Sequence, residues 1–255
     1  MIASQIRASA RENLTGKWGK AALITLSYVI IVFVISFLCN LVPIIGQIAW
    51  VVISTPISYG LLVSFMKLKR DEAVEYTDFL SNGFSNFGRV WGVIGNIALK
   101  MILPICLVFL FAIIMVVSIS GSIIGLAYSS MSYNVSTAMA SGFGFFGFVG
   151  FIGYFASIIY AIAKGYLYTL SFYILNDNDN MSGKEIVAES ARLMKGNRWR
   201  FFWLGFSFIG WAFLCAFTLG IGMLWLLPYT MISIIVFYEE LAGKDNKPIE
   251  TKTEE

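Results

Sequence analysis

The chain has 255 residues, of which 58% are hydrophobic and 16% aromatic while only 13% are charged, with a formal net charge of +3. Its 18 Lys and Arg and 15 Asp and Glu are gathered in short segments and cannot give a core of this size a polar cover, which excludes an ordinary soluble globule and indicates a membrane-embedded chain. There is no histidine, and Cys39, Cys106 and Cys215 each sit alone in an apolar run, which argues against a disulfide framework, a zinc knuckle or histidine-based acid–base chemistry.

Residues 1–20 carry Arg7, Arg11, Lys17 and Lys20 against Glu12, with Ile2, Ile6 and Leu14 spaced along one side of a helix. Such a helix lies on a membrane surface or is simply solvated, and both readings stay open. No small-residue cleavage site follows the first apolar run, so that run is expected to remain as an anchor. Residues 21–41 are long enough to cross a hydrocarbon core of about 30 Å. Pro43 and Gly46 break the pattern, and residues 47–66 return, with a kink expected at Pro56.

The polar segment 67–89 opposes Lys67, Lys69, Arg70 and Arg89 to Asp71, Glu72, Glu75 and Asp78. Thr77 or Asp78 is placed to cap a short helix whose Phe79, Leu80 and Phe84 rest on the membrane. From residue 90 to 163 the only charge is Lys100, so two long spans are expected, 90–117 and 143–163. The intervening 118–142, rich in Ser, Gly, Tyr, Asn and Met, reads as an uncharged external loop. Gly142, Gly144, Gly147, Gly150 and Gly153 alternate with Phe and offer a surface for close helix approach.

The run Asn176-Asp177-Asn178-Asp179-Asn180 stops the fourth span. It lacks the Gly and the later bidentate Glu of a calcium loop, so it reads as a turn. Ser182 with Glu185 forms a capping box, and Ile186, Val187, Leu193 and Met194 supply an interfacial face. Spans 201–217 and 223–238 follow, separated by Thr218-Leu219-Gly220-Ile221-Gly222. Residues 241–255 read as a disordered cytoplasmic tail.

One pattern recurs three times: a polar helix, a basic-aromatic hinge, then an uncharged run. The fold expected is therefore all-α and polytopic, a single transmembrane domain over 1–240 with six transmembrane helices as three hairpins and an internal repeat. Each hairpin is preceded by a cytoplasmic interfacial amphipathic helix. Every Lys and Arg except Lys100 then falls on one side, which puts both termini in the cytoplasm of a bacterial cell whose plasma membrane holds the chain. Lys17, Trp18, Lys20, Phe87, Arg89, Arg198, Trp199 and Arg200 serve as interfacial anchors, the rings at headgroup depth and the cations toward anionic lipid of the cytoplasmic face.

Chemistry is sparse. No P-loop, Rossmann glycine pattern, HExxH or GxSxG occurs and no pair of acids lies within a span, so neither catalysis nor a cofactor or metal is expected. Basic residues beside membrane entries and interleaved with acids do not suit nucleic acid. The candidate intramembrane polar site is Lys100 with Asn96 one turn earlier and Pro104 one turn later. Lys100 is expected to face protein. Either its stem snorkels to the interface, or its cation lines a wet cavity and meets an anionic ligand.

The hinge Lys195-Gly196-Asn197-Arg198-Trp199-Arg200-Phe201, with Phe208-Ile209-Gly210-Trp211, Leu219-Gly220-Ile221-Gly222, Leu224-Trp225, Pro228-Tyr229 and Phe237-Tyr238, resembles a bacterial family of integral membrane proteins, the domain-of-unknown-function family numbered nine hundred and seventy-five. Residues Leu14 to Ala21 resemble that family's opening. The resemblance implies a polytopic membrane protein and brings no activity with it. Two functions stand: a non-catalytic component that binds or helps move an amphiphilic molecule such as a lipid, peptide or envelope precursor, and a membrane scaffold or partner subunit. An intramembrane enzyme comes third. A binding component predicts polar groups facing a shared interior, whereas a scaffold predicts apolar surface exposed on the cytoplasmic helices.

Overall fold

The computed structural model describes residues 2–128 and 133–244. The described residues form eleven α-helices: α1 (Ala3–Leu14), α2 (Trp18–Asn40), α3 (Ile45–Lys69), α4 (Asp78–Ser85), α5 (Phe87–Tyr128), α6 (Tyr133–Gly165), α7 (Ser171–Asp177), α8 (Gly183–Met194), α9 (Arg198–Phe206), α10 (Ile209–Phe217) and α11 (Met223–Leu241), with a 3-10 turn at Tyr166–Tyr168. Six helical stretches are long and apolar enough to cross a membrane: Trp18–Asn40, Ile45–Lys69, Phe87–Ile124, Gly144–Asp177, Arg198–Phe217 and Met223–Leu241. Of the disordered tail expected over 241–255, Leu241 closes α11 and Lys244 pairs with Asp177, while residues 245–255 lie outside the described residues.

The contacts sort the chain into two compact units, one made of the chain up to Ile94 and from Thr169 onward, the other of Gly95–Tyr168. In the first, α3 and α11 are central, with half of each apolar stretch buried, while α2 keeps most of its surface outward. That outward surface is aliphatic and aromatic, including Phe33 and Phe37. Lipid, rather than water, is the solvent such a surface requires.

The three short polar helices depart from the expectation that their apolar faces meet the membrane. Ile6, Ala10 and Leu14 of α1 are buried, and α1 packs on α11 and α9. Phe79 of α4 is wholly buried and meets the Tyr28 ring edge-on at 5.7 Å, although Phe84 stays exposed. Ile186, Val187, Leu193 and Met194 of α8 are buried as well, with α7 as a neighbour. Helical periodicity fixes which face is apolar but not what covers it. α8 starts as its residues dictate: the Ser182 hydroxyl accepts from the Glu185 amide at 3.4 Å, and the Glu185 carboxylate accepts from the Ser182 amide at 2.8 Å.

Between α3 and α4 the backbones nearly touch. A Cβ built on Gly60 lies 2.7 Å from the Phe79 carbonyl carbon and 2.8 Å from the Gly83 nitrogen, and one built on Gly83 lies 2.8 Å from the Pro56 carbonyl carbon. Only hydrogen fits at either site. The fifth crossing is interrupted after Phe206, where Ser207 and Phe208 separate α9 from α10.

In the second unit, Gly147, Gly150 and Gly153 of α6 face α5: their Cβ positions meet Ser118 Cβ at 3.4 Å, the Met115 nitrogen at 3.0 Å and the Phe111 ring. The alternation of Gly with Phe therefore does supply a close-approach surface. The external loop expected over 118–142 is corrected. α5 runs through Tyr128 and α6 begins at Tyr133, and of that stretch only residues 129–132 lie outside the described residues. Where water is scarce, helix is the cheapest way to satisfy the backbone, and serine adapts to it. The Ser120 and Ser122 hydroxyls donate to the carbonyls of Val116 and Ser118, both at 2.9 Å.

Candidate functional site

Within its own unit Lys100 does not meet protein. It is exposed on α5 beside the exposed Leu99 and Leu103, and it makes no hydrogen bond or ion pair among the described residues. A four-carbon stem can lie along apolar surface and carry its charge away from the helix, so facing protein is not required. Asn96 is half-buried and has a partner of its own; no hydrogen bond joins it to Lys100. The intramembrane polar pair is not assembled.

The hinge residues, by contrast, are drawn into a network that ties together the ends of several helices. Lys17 pairs with Asp71 at 2.5 Å and donates to the Leu68 carbonyl, fixing the start of α2 to the end of α3. Arg89, at the start of α5, pairs with Asp179 at 3.0 Å and donates to the Asn178 carbonyl at 2.6 Å. Arg200 of α9 donates to both carboxylate oxygens of Glu240, at 2.7 and 2.9 Å, and lies over the Phe237 ring. Trp199 is exposed and stacks on Phe202 at 5.0 Å; Phe87 stacks on Phe84. Lys20 is half-buried and Arg198 exposed.

At the centre of this network is a residue the sequence reading passed over. Asp177, whose side chain is only 4% exposed, accepts from Arg70 at 2.9 and 3.1 Å, from the Tyr238 hydroxyl at 3.0 Å and from Lys244 at 2.7 Å. Beside it Glu239 pairs with Lys69 and, at 3.7 Å, with Arg70. Burial alone pulls the Arg70 guanidinium down, yet its hydrogen bond to Asp177 and the charges of Asp177 and Glu239 hold it above its ordinary value. These partners lie 61 to 107 residues from Asp177 in the chain, so no local motif announces them. The arrangement holds the ends of α3, α7 and α11 together, and its charges are mutually satisfied.

A second feature of the same unit has the opposite character. A cavity of about 380 Å³ opens between α10, α11 and the junction of α1 with α2, lined by Trp18, Trp211, Leu214, Cys215, Trp225 and Tyr229 among others. That volume falls within the usual range for small-molecule sites. Its wall is mostly apolar; the polar side chains in it are Thr218, Tyr229 and Arg11, and Arg11 donates to the Tyr229 hydroxyl at 3.3 Å. Trp18 and Phe208 flank Tyr229 at 6.2 and 5.1 Å, so the phenol is held in place. Trp211 and Trp225 remain half exposed and leave the cavity accessible from the apolar side. The residues of this wall are legible in the sequence only as scattered aromatics of the last two spans.

The six apolar helical stretches define a multi-pass helical membrane protein. Its sequence matches, over residues 1–245, the model of the family described as "Protein of unknown function (DUF975)", and the chain belongs to that family. Neither a curated protein nor a solved structure matches it.

Proposed function

We propose that the protein is a non-catalytic component of a bacterial plasma membrane that binds, and helps present or move, an amphiphilic molecule. The observation that carries this reading is the tryptophan-lined cavity with one cationic side chain at its polar end, a shape and polarity matched to a molecule that is itself divided in that way. In this reading the six stretches are three hairpins pointing the same way, the short helices sit at the cytoplasmic interface, and both termini are cytoplasmic. The ion pairs that draw together the ends of α3, α7 and α11 and the starts of α2, α5 and α9 support that topology. So does the uncharged turn from Thr218 to Gly222 at the far end of the last pair.

The scaffold reading is weaker, since it calls for apolar faces left free on the short helices, and Ile6, Phe79 and Ile186 are spent on the protein's own interior. The test is purification in a mild detergent followed by mass spectrometry of co-purifying lipids and peptides. The reading expects one amphiphile class enriched over the bulk membrane extract, and enriched less with Trp211→Ala/Trp225→Ala. Lipids in bulk proportions, unaffected by that variant, would count against it.

A further inference from the structure

Arg11 lines the polar end of the cavity, and a second arginine stands one turn before it on the same helix. Arg7 and Arg11 stand four residues apart on α1 and so share a face. Tyr229 bridges them, its hydroxyl accepting from Arg11 Nη1 at 3.3 Å and placed 3.4 Å from the Arg7 carbonyl oxygen, to which it donates. Neither arginine has a carboxylate partner among the described residues, and Arg7 Nε is buried with no acceptor. This sets them apart from Lys17, Lys69, Arg70, Arg89, Arg192, Arg200 and Lys244, each of which pairs with an acid. Two guanidinium groups one turn apart repel each other, and a buried N–H without an acceptor is costly.

We propose that Arg7 and Arg11 clamp the phosphate of an anionic membrane phospholipid whose acyl chain occupies the tryptophan-lined cavity; this rests on the amphiphile reading above. A phosphate group supplies several oxygens that match the planar donor forks of arginine, and one anion would offset both charges at once. Arg11 is in the cavity wall and Arg7 lies one turn earlier on the same helix, while Trp211, Leu214 and Trp225 form the apolar part of that wall. The volume of about 380 Å³ equals about a dozen water molecules. It suits one chain, leaving the second in the bilayer across the half-exposed Trp211 and Trp225.

The experiment uses the full chain in detergent and lysolipids with one brominated acyl chain, which quench tryptophan at short range. The heads compared are phosphoglycerol, phosphocholine, uncharged glycerol and a free carboxylate, and only the saturable quenching lost in Trp211→Phe/Trp225→Phe is scored. We expect the phosphoglycerol head to half-saturate at about a tenfold lower concentration than the uncharged head. In Arg7→Gln/Arg11→Gln that preference should vanish while uncharged-head quenching stays as in the wild type. Equal quenching by all heads, or a preference that survives the double variant, overturns the clamp but leaves the cavity reading standing. A carboxylate head as good as phosphoglycerol overturns the phosphate assignment, and displacement by millimolar inorganic phosphate alone overturns the lipid. No saturable quenching with any head sinks the amphiphile reading itself. Should the double variant fail to fold, Arg11→Gln, which removes one hydrogen bond from an exposed residue, still has to reduce the preference, and the wild-type head comparison decides independently.

Discussion

Replacing Gly60 by Ala tests the α3–α4 contact most directly. The added methyl would overlap the Phe79 carbonyl oxygen and sit 2.7 Å from the carbonyl carbon, whereas ordinary contact begins near 3.4 Å, so α4 must retreat by more than about 1 Å. Both neighbours are backbone, so no rotamer change can relieve the clash, and the overpacking cost falls toward the upper part of the usual range, about 3 kcal/mol. A gap of that width also forfeits about half of the dispersion contacts of the buried Phe79, about 1 kcal/mol of its burial. Against this stands the better helix propensity of Ala over Gly, about 1 kcal/mol. The net is a loss of about 3 kcal/mol, or about 6–12 °C in Tm for a chain of this size. Thermal unfolding of the purified protein, followed by tryptophan emission and by size-exclusion after heating, measures it. Gly95→Ala, whose Cβ meets nothing within 4 Å, is the control and should melt at or slightly above the wild type. Gly83→Ala should repeat the loss, and the double variant should lose less than the sum, because α4 retreats only once. A Gly60→Ala protein as stable as the Gly95→Ala control would refute the close packing of α3 on α4.

The other expectations are briefer. Asp177→Asn leaves Arg70 and Lys244 without their shared carboxylate and should cost about 3 kcal/mol in the same melt; a loss under about 0.5 kcal/mol would mean the network is idle. Hydrogen bonds from the Ser182 amide and hydroxyl hold Glu185 below its ordinary pKa. Its contribution is therefore fully present above the unfolded value of about 4.3 and is lost as pH falls through the lower folded value. Amide protection in α8 should be flat from neutral pH to about 5 and decline in acid, and Ser182→Ala should remove the pH-dependent part; equal acid sensitivity in that variant would contradict the capping box. Lys100→Met should leave stability unchanged within about 0.5 kcal/mol, since Lys100 holds no partner among the described residues, and a larger fall would reveal one. With the native cysteines replaced, Ile221→Cys should react with a membrane-impermeant thiol reagent in intact cells and Ser85→Cys should not; the reverse pattern would invert the topology.

Hydropathy alone located the six apolar stretches, because a helix that must cross about 30 Å of hydrocarbon writes its length into the sequence. The glycine stripe of α6 and the cap at Ser182 were readable for a similar reason, since each depends on residues within a few positions. Residues 118–128 and 133–142 were misread because Ser, Gly and Asn favour loops, yet here they continue α5 and α6, with Ser120 and Ser122 bonded back to the helix. The α1, α4 and α8 faces were recognised as apolar, yet Ile6, Phe79 and Ile186 turned out to be covered by protein. The Asp177 network and the cavity were out of reach, because Arg70, Tyr238 and Lys244 meet Asp177, and Arg11 meets Tyr229, only after distant parts of the chain have packed.

The packing of α1 on α11 orders events during synthesis. A ribosome releases Ile6, Ala10 and Leu14 more than 200 residues before it delivers Met223–Leu241, so the first helix spends nearly all of translation without its cover. A nascent chain stopped before α11 also lacks Tyr238, Glu239 and Lys244, leaving Arg70 as the one remaining member of the set that binds Asp177. Closure of this unit thus waits on the delivery of α11. A chain stopped before α11 displays the uncovered Ile6, Ala10 and Leu14 face of α1, a mark by which proteolysis can recognise it.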